Sequence, residues 1–529
     1  MEHIELVVFG LLLAVSALAI LARLTNVPYP IVLVLGGLVL GFAPGIPAIG
    51  LEPDLVLLIF LPPLLYAAAF FSNLHELRAN AQAIGVLAIG LTAVTMVTVA
   101  AVAHAVIGLD WKVAFVLGAV VSPTDAVAPA TILRRLGVPR RVITVVEGEN
   151  LTNDWTALVA YKFAVAAVLT GSFSLASAGP QFLLTGVGGI AVGVVAGIAV
   201  AAVRRRLADP LTEITISLLT AYAAYLPAEE LGFSGVLAAV TVGVWLGWQA
   251  SELTTHTTRL QLNAIWETLQ FLLNALLFVL IGLQLPVALE GLEQPPMSLV
   301  GYGALIGVTV IVVRLVWVFG LAALPRKLSR VRTGQPLTAL DQVSVVAWAG
   351  MRGAVSLAAA LAIPLETDAG APFPARGLII FLTFATILAT LVFQGVTMPA
   401  LIRGLGIEDD GLDRDEELAA RLEIAFAAID RIESLAEEDW VEQQTVERTR
   451  PLFEYRRRRF SSRIDGEDSN DEFDYEARSA SYTRFMAEVI GAQRQTLRTL
   501  RDDGRITDEV RRRVEYDLDL EQERLAGSG

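Results

Sequence analysis

The stretch LGAVVSPTDAVAPATI, residues 117–132, is apolar enough to lie in a membrane, yet prolines and an aspartate interrupt it. A second stretch of the same kind, VVAWAGMRGAVSLAAALAIP at residues 345–364, is interrupted by Gly350, Arg352 and Gly353. Broken apolar helices are typical of membrane proteins that bind ions near the bilayer midplane. The two stretches therefore predict a polytopic membrane protein with an ion site at two interrupted helices.

The composition of the whole chain favours the same class of protein. Its 529 residues are 54% hydrophobic and only 18% charged. Apolar runs of about 20 residues, the length that crosses a bilayer as a helix, recur through the first three quarters of the chain. Because the sequence has no cysteine, disulfides, thiolate metal ligands and thiol nucleophiles are excluded. The first run follows Glu2 and Glu5 instead of a basic region, so it predicts a first span and not a cleaved signal peptide.

Thirteen apolar windows predict thirteen transmembrane helices. The windows are residues 4–24, 29–48, 54–73, 82–108, 113–133, 142–171, 181–203, 210–230, 234–250, 263–286, 298–323, 340–364 and 376–401. Fifteen Lys and Arg residues lie in loops after odd-numbered spans, whereas only Lys112 and Arg376 lie after even-numbered ones. Since positive residues collect on the cytoplasmic side, the sequence predicts an inner (cell) membrane protein with its N-terminus outside.

Span seven separates the other twelve spans into two halves. Spans one to six and eight to thirteen would start from opposite sides of the membrane, which is the arrangement of an inverted repeat. The interrupted spans five and twelve then occupy equivalent positions in the two halves. We expect an all-α membrane fold of two inverted six-helix repeats, in which the two broken helices cross.

The residues after the last span have a different composition. From Glu408 to the end, 33 Asp and Glu stand against 20 Arg, a balance of −13 out of −14 for the whole chain. Apolar residues at helical spacing from Leu418 to Leu435 predict an amphipathic helix. We therefore predict a transmembrane domain over residues 1–403 and an acidic, Arg-rich helical domain in the cytoplasm over residues 404–529.

Charged residues are rare within the spans, and each costs at least about 2.5 kcal/mol at bilayer depth, so they indicate function or pairing. The segment EGENLTNDWTALV of span six holds several of them. On a helix, Glu147, Asn150 and Asp154 share one face. Glu149 and Asn153 lie on a neighbouring face. Converging oxygen atoms suit a hard cation, so we predict that Na⁺ binds at Asp154.

Span five adds polar groups at its interruption. Thr124 and Asp125 stand between Pro123 and Pro129, where the helix should unwind. Unwinding frees backbone carbonyls for a cation and exposes the N-terminus of a half-helix, whose partial positive charge attracts a carboxylate. We expect Asp125 first to compensate this charge and second to act as a ligand through water.

Two arginines supply positive charge within the spans. Arg352, in the interruption of span twelve, is the expected partner of Glu147 or Glu149, and Arg314 in span eleven is interpreted in the same way. Since an arginine keeps its charge, both are expected to be structural. Pairing with these arginines would also explain the acids of span six, but Asp154 has more oxygen-bearing neighbours than a structural pair needs.

Six stretches resemble the bacterial sodium/proton exchangers of the monovalent cation:proton antiporter 1 family. They are FLPPLLYAAAF, SPTDAVAPATI, EGENLTNDWTALV, FSGVLAAVTVGVWLG, WETLQFLLNALLFVLIGLQL and GMRGAVSLAAALAIP. These stretches occur in the family's order and span nearly all of residues 1–403.

The resemblance implies a homodimeric antiporter that exchanges Na⁺ or Li⁺ for H⁺ by alternating access, needs no cofactor and serves pH homeostasis. It implies that Asp154 carries both the proton and the cation, and that Asn153 orients and insulates it. It also places Thr124 and Asp125 at the break in span five and pairs Arg352 with the acids of span six. Its expected partners are monovalent cations, protons, the lipid bilayer and a second copy of the chain, with no nucleic acid.

Two positions depart from the family pattern. Ala67 stands where an acidic residue is common, and Asn150 where a serine is common. Both belong to the surroundings of the site, so a K⁺/H⁺ antiporter on the same scaffold is the first alternative. A cation channel, which would conduct without proton coupling, is the second. An enzyme is not expected, because no nucleophile, metal cluster or phosphate loop accompanies Asp125 and Asp154.

The residue before Asp154 bears on the stoichiometry. Asn153 cannot titrate, so one carboxylate is left to exchange a proton for a cation. Because burial disfavours the bare anion, Asp154 should hold one or the other. We therefore predict electroneutral 1:1 exchange, provided that Asp125 keeps its charge throughout the cycle.

Overall fold

The computed structural model of the chain is helical, and the residues it describes include one isolated β-bridge, between Glu366 and Pro372. The described residues are 4–25, 27–43, 53–171, 175–207, 209–289, 292, 294–323, 340–407, 409, 411–465 and 470–526. The chain divides into two compact units, residues 1–409 and 410–529.

Helices account for most of the described residues of the first unit. They are α1 (Ile4–Thr25), α2 (Tyr29–Gly41), α3 (Pro53–Phe70), α4 (Leu74–Ala79), α5 (Ala81–Gly85), α6 (Thr92–Val102), α7 (Trp111–Val121), α8 (Val127–Arg135), α9 (Arg140–Leu169), α10 (Leu175–Arg204), α11 (Pro210–Glu230), α12 (Gly235–Trp248), α13 (Ala250–Leu253), α14 (His256–Leu289), α15 (Pro296–Ala323), α16 (Leu340–Trp348), α17 (Ala354–Leu361), α18 (Arg376–Ala389) and α19 (Gly395–Leu405). Three short π-helical segments continue these helices without a break. Val86–Leu91 joins α5 to α6, Ala103–Ile107 follows α6, and Thr390–Gln394 joins α18 to α19.

The two interruptions predicted from the sequence are present. Span five is split into α7 and α8, and span twelve into α16 and α17. In span five the helix opens at Pro123, but Pro129 lies in the first turn of α8, where a proline costs no hydrogen bond. Residues 124–126 are therefore unwound between the two prolines, as predicted, and Pro129 itself lies within α8.

Several described helices have the length and composition of membrane spans. Five of them are long and apolar enough to cross a bilayer: Ala81–Ile107, Gly179–Arg204, His256–Pro286, Pro296–Ala323 and Arg376–Leu405. Shorter apolar helices cover parts of the other predicted spans, such as Phe9–Thr25 and Tyr29–Gly41. The first unit is thus built as a multi-pass membrane protein. The number of crossings and the inverted repeat stay predictions.

Small residues bring the helices of the first unit into backbone contact. A Cβ atom added to Gly282 of α14 would lie 2.4 Å from the carbonyl oxygen of Val34 in α2. Close approach of this kind is the usual way in which helices pack within a bilayer, where the hydrophobic effect contributes little. The largest buried apolar cluster surrounds the two interruptions, since Val121, Ala349 and Met351 are at most 1% exposed. The unwound segments thus lie inside the protein.

The second unit is helical throughout its described residues, which form α20 (Leu412–Leu435), α21 (Gln443–Asp465), α22 (Asn470–Asp502) and α23 (Asp508–Ala526). The predicted amphipathic helix lies within α20. Leu418 and Ile429 of this helix are buried, whereas Ile424 is 67% exposed. The guanidinium of Arg457 in α21 lies 5.6 Å from the ring centre of Phe426, which joins the two helices.

Candidate ion-binding site

The two unwound segments meet in the interior of the first unit. The backbone N–H of Asp125 donates a hydrogen bond to the carbonyl oxygen of Met351 at 2.8 Å. A Cβ atom added to Gly353 would lie only 1.8 Å from Oδ2 of Asp125, so that position admits glycine alone. The interruptions of the two broken helices, which the sequence predicted to cross, are thus in direct contact.

Asp125 stands at the beginning of α8. Its Oδ1 accepts a hydrogen bond from the backbone N–H of Val127 at 2.9 Å, in the first turn of that half-helix. A carboxylate in this place compensates the partial positive charge of a helix N-terminus. The geometry agrees with the first role expected for Asp125, and its carboxylate also borders a cavity that reaches Asp154.

Two adjacent cavities border the unwound segment of span five. The larger, of about 840 Å³, begins among Asn73, Arg134 and Arg140 at one end of the first unit. The smaller, of about 110 Å³, is lined by Thr124, Asp125 and Asp154 among others. We call them the vestibule and the chamber. They share six lining residues, so the vestibule lies next to the chamber that holds Asp154.

Unpartnered oxygen atoms gather on one turn of α9. Asp154 is 2% exposed and Asn153 is 1% exposed. The Oδ1 atoms of Asn150, Asn153 and Asp154 are all buried, and none of them accepts a hydrogen bond from a described residue. Asn150 and Asp154 line the chamber together with Ser356, whose buried hydroxyl also has no partner. Buried polar atoms without partners are costly, so these four groups are suited to an exchangeable ligand.

A hydrogen-bonded chain fixes the orientation of Asn153. Its Nδ2 donates to Oγ1 of Thr124 at 2.6 Å, and that hydroxyl donates to Oε1 of Glu149 at 3.2 Å. Because the amide nitrogen of Asn153 is held in this way, its amide oxygen takes no part in these hydrogen bonds. Thr124 therefore connects the unwound segment of span five to α9.

Glu149 is neutralised by Arg314. The Nη1 and Nη2 atoms of Arg314 lie 2.5 and 2.8 Å from the two carboxylate oxygens of Glu149, and both side chains are at most 2% exposed. Arg314 also donates to the carbonyl oxygen of Val346, near the end of α16. The ion pair thus holds α9, α15 and α16 together.

Arg352 has a different role from the one predicted. Among the described residues it forms no ion pair with Glu147 or Glu149; its Nε donates to the carbonyl oxygen of Val121 at 3.2 Å and its Nη1 to that of Gly350. Val121 is the last residue of α7, where a cation stabilises the partial negative charge of the helix end. Arg352 therefore stabilises the unwound segments, and Glu149 forms its ion pair with Arg314 instead.

Glu147 lies outside the chamber. It lines the vestibule and pairs with Arg134 at 2.7 Å, with 37% of its side chain and 65% of that of Arg134 exposed. The expected stripe of Glu147, Asn150 and Asp154 is present on α9. It runs, however, from the vestibule into the chamber and does not converge on one point.

Comparison with known proteins identifies the type of protein that carries this site. The family model "Sodium/hydrogen exchanger, transmembrane" matches residues 10–404. The chain belongs to the sodium/hydrogen exchanger family. It is 37% identical to an uncharacterised Na⁺/H⁺ exchanger of Mycobacterium tuberculosis, over 98% of this chain and 96% of that protein. It is 35% identical to the Na⁺/H⁺ antiporter ApNhaP of Aphanothece halophytica, over 79% of this chain and 78% of that protein.

The fold is similar to that of a solved structure. The sodium proton antiporter MjNhaP1 of Methanocaldococcus jannaschii superposes with a TM-score of 0.60 at 21% identity, over 77% of this chain and 99% of that one. At this identity the likeness shows the fold alone. Membership in the sodium/hydrogen exchanger family, with its apolar helices, makes the protein a multi-pass membrane transporter of the cation/proton exchange type.

Three lining residues of this exchanger escaped the sequence analysis. Gln270 and Asn274 of α14 line both the vestibule and the chamber, and Ser356 of α17 lines the chamber. Because none of them is ionisable, they do not stand out among the charged residues of the spans. The signal was nevertheless present, because Asn263, Glu267, Gln270 and Asn274 recur at helical spacing in an apolar span.

The arrangement combines the buried carboxylate of Asp154 with the carboxylate of Asp125 at a helix N-terminus and with neutral oxygen ligands. A carboxylate that is buried without a counter-charge must be neutralised by a proton or a bound cation. Carboxylate, amide and hydroxyl oxygens are the ligands of hard cations. The described residues hold no cluster of three or more His, Asp or Glu side chains of the kind that binds a transition metal. The chamber is therefore suited to binding a monovalent cation or a proton, one at a time.

Proposed function

We propose that this exchanger transports Na⁺ or Li⁺ against H⁺ by alternating access, with Asp154 as the carrier of both ions. The observation that supports this most directly is the state of Asp154, which is buried at 2% exposure and has a carboxylate oxygen without a partner. Asn150, Asn153, Thr124 and Asp125 surround it as ligands or as residues that orient ligands. Glu149, Arg314 and Arg352 hold the surrounding helices, and Glu147 belongs to the vestibule.

The transport cycle follows from competition at one carboxylate. A cation that reaches the chamber displaces the proton of Asp154, the loaded site becomes accessible from the other side, and a proton then displaces the cation. The vestibule begins at Arg134 and Arg140, at the facing ends of α8 and α9, which the positive-inside rule assigns to the cytoplasm. With the N-terminus outside and the second unit in the cytoplasm, this conformation is open towards the inside.

We propose electroneutral exchange of one cation for one proton. Asn153 cannot titrate, Glu149 is bound to Arg314, and Asp125 is held by the N-terminus of α8. Only Asp154 is left to exchange its charge. A cycle that moved one net charge would gain about 2.3 kcal/mol per 100 mV, which changes the equilibrium ion gradient about fifty-fold.

Proteoliposomes test both the activity and its stoichiometry. Addition of Na⁺ or Li⁺ should move protons across the membrane when the wild type is present. The equilibrium Na⁺ gradient at a fixed pH difference should be the same at zero and at strongly negative potential, set with K⁺ and valinomycin. A gradient that shifts with voltage would mean that a second proton moves, and a current without proton movement would mean a channel.

A K⁺/H⁺ antiporter is the second candidate. The "Sodium, potassium, lithium and rubidium/H⁺ antiporter" of Bacillus subtilis is 35% identical over 75% of this chain and 61% of that protein. A relative that transports several alkali cations favours a broad cation range. The same proteoliposomes, with K⁺ and Rb⁺ added in turn and without valinomycin, decide between a Na⁺-selective and a broad exchanger.

We also propose that the exchanger is a homodimer, as the family resemblance implies. Light scattering of the detergent-solubilised protein, corrected for bound detergent, should give twice the 56.7 kDa mass of one chain. A single-chain mass in native lipid nanodiscs would contradict this assembly.

A further inference from the structure

A polar stripe runs along α14 from the vestibule to the chamber. Asn263, Glu267, Gln270 and Asn274 follow one another at spacings of three or four residues, which places them on one face of the helix. Asn263 and Glu267 are exposed, Gln270 is half-buried and Asn274 is 9% exposed. Burial thus increases along the stripe towards the site of Asp154.

We call the boundary between the vestibule and the chamber the neck. Six residues line both cavities: Ala68, Val127, Asn150, Leu151, Gln270 and Asn274. Three of the six are apolar and carry no polar side-chain atom. The other three are all amides, so the neck offers an ion neutral oxygen atoms and no charge.

One amide oxygen of the neck is buried without a partner among the described residues. Oδ1 of Asn150 is buried and accepts no hydrogen bond. Asn274 is nine-tenths buried and lines the passage, and its side chain has no hydrogen-bond partner among the described residues. Because an amide oxygen taken out of water without a partner is costly, a structural role in packing does not explain Asn150.

We propose that Asn150, Gln270 and Asn274 form a cation-selective neck, in which Gln270 and Asn274 are specificity-determining residues for alkali cations. Amide oxygens replace part of the hydration shell of a monovalent cation on its way to Asp154. Because the ligands are neutral, the ion binds weakly enough to move on, which conduction through successive sites requires. This inference rests on the proposed function, since it names the path to the same carboxylate.

Neutral ligands also explain a division of roles between neck and chamber. An amide cannot take up a proton in the physiological pH range, so the neck senses the cation alone. The carboxylate of Asp154 binds both ions and therefore sets the competition between them. Cation preference and pH dependence should then be separable by substitution, the first at the neck and the second at the chamber.

The test compares three leucine variants on one helix. Asn274→Leu and Gln270→Leu remove neck oxygens, and Gln261→Leu makes the same change at an exposed position of α14 that lines neither cavity. In proteoliposomes the neck variants should raise KM for Na⁺ about five- to tenfold, which corresponds to a lost ligand of about 1 to 1.4 kcal/mol. The KM ratios among Li⁺, Na⁺ and K⁺ should change, and kcat should fall less than KM rises.

Asn274→Asp distinguishes a ligand from a hydrogen-bond donor. A carboxylate keeps the oxygen and loses the amide N–H, so a cation ligand should be restored and a structural donor should not. We expect a KM for Na⁺ well below that of Asn274→Leu. Thermal unfolding of the purified variants with increasing Na⁺ gives a binding readout that does not depend on transport, because a bound ion raises Tm.

The outcomes separate this inference from the proposed function. Neck variants that match Gln261→Leu in KM, in cation ratios and in Na⁺-dependent Tm would overturn the neck, even where Asp154→Asn is inactive. A kcat that falls equally for all cations at constant KM would also overturn it. If Asp154→Asn still exchanges ions while Asn274→Leu alters their selectivity, the carrier assignment fails and the neck stands.

Discussion

Glu149 and Asp154 lie on the same helix and are both 2% exposed, but the structure surrounds them differently. The region around Glu149 is saturated: Arg314 binds both carboxylate oxygens, and Thr124 donates to one of them. Around Asp154, by contrast, oxygen atoms of Asn150, Asn153 and Asp154 have no partner among the described residues. Helix α9 thus carries two kinds of carboxylate. That of Glu149 keeps its charge, whereas that of Asp154 must be balanced by an exchangeable proton or cation.

The difference shows how an exchanger can bury two acids and use only one. A buried ion pair with further hydrogen bonds keeps its charge state, because removing either partner strands a charge in a medium of low polarity. A buried carboxylate without a pair exchanges its proton or cation as the surroundings change. Stability should therefore depend on the Glu149 region, and transport on the Asp154 chamber.

The largest effect is expected for Asp154→Asn, which should abolish cation/proton exchange. An amide has nearly the same shape but neither binds a proton nor offers a full charge to a cation. Proteoliposome proton movement measures the loss, and Tm should change by no more than a few degrees, since no bond to Asp154 is broken. Substantial exchange by the purified variant would refute the carrier role.

Arg314→Met should cause the largest loss of stability. It leaves Glu149 buried without a counter-charge, which costs about 3 to 5 kcal/mol in soluble proteins. Thermal unfolding in detergent should show a lower Tm, and adding Glu149→Gln should recover part of the difference. An Arg314→Met protein as stable as the wild type would remove the distinction between the two regions.

The helix interruptions were predictable, because proline and glycine act locally on the backbone. Pro123 and the pair Gly350 and Gly353 mark the two unwound segments in the sequence itself. The concentration of oxygen atoms on span six was equally visible from helical spacing. The place of Asp125 at the start of a half-helix followed from the position of the break.

The choice of partners was not predictable in the same way. Two arginines in different spans, Arg314 and Arg352, were available to Glu149, and only the packing of α15 against α16 decides between them. Gln270 and Asn274 were missed for another reason. A neutral amide in an apolar span has little effect on charge or hydropathy, so its role becomes visible only once the cavities are known.

A second buried pair extends the comparison. Arg204 and Glu213 are at most 1% exposed, their closest nitrogen and oxygen atoms are 3.9 Å apart, and the three guanidinium nitrogens donate no hydrogen bond. A poorly bonded pair regains little of its desolvation cost, so Arg204→Met with Glu213→Met should be neutral or stabilising by about 1 kcal/mol or more.

The matched change at the other pair should have the opposite sign. Arg314→Met with Glu149→Met also removes the hydrogen bonds to Val346 and Thr124, and we expect a net loss of stability. Tm values of the two double variants, measured in the same detergent, give the comparison. Equal shifts in both would mean that hydrogen bonding does not distinguish the pairs.

The smallest effect is expected at the pair that is open to water. Arg134 and Glu147 lie 2.7 Å apart at the vestibule, with 65% and 37% of their side chains exposed. Water and salt screen such a pair, which contributes about 0 to 1 kcal/mol. Arg134→Gln should therefore change Tm by no more than a few degrees, and the change should shrink further as the salt concentration rises. Since Glu147 stays hydrated without its partner, no charge is stranded, in contrast to Glu149 without Arg314. A loss comparable to that of Arg314→Met would mean that Glu147 belongs with the saturated region and not with the vestibule.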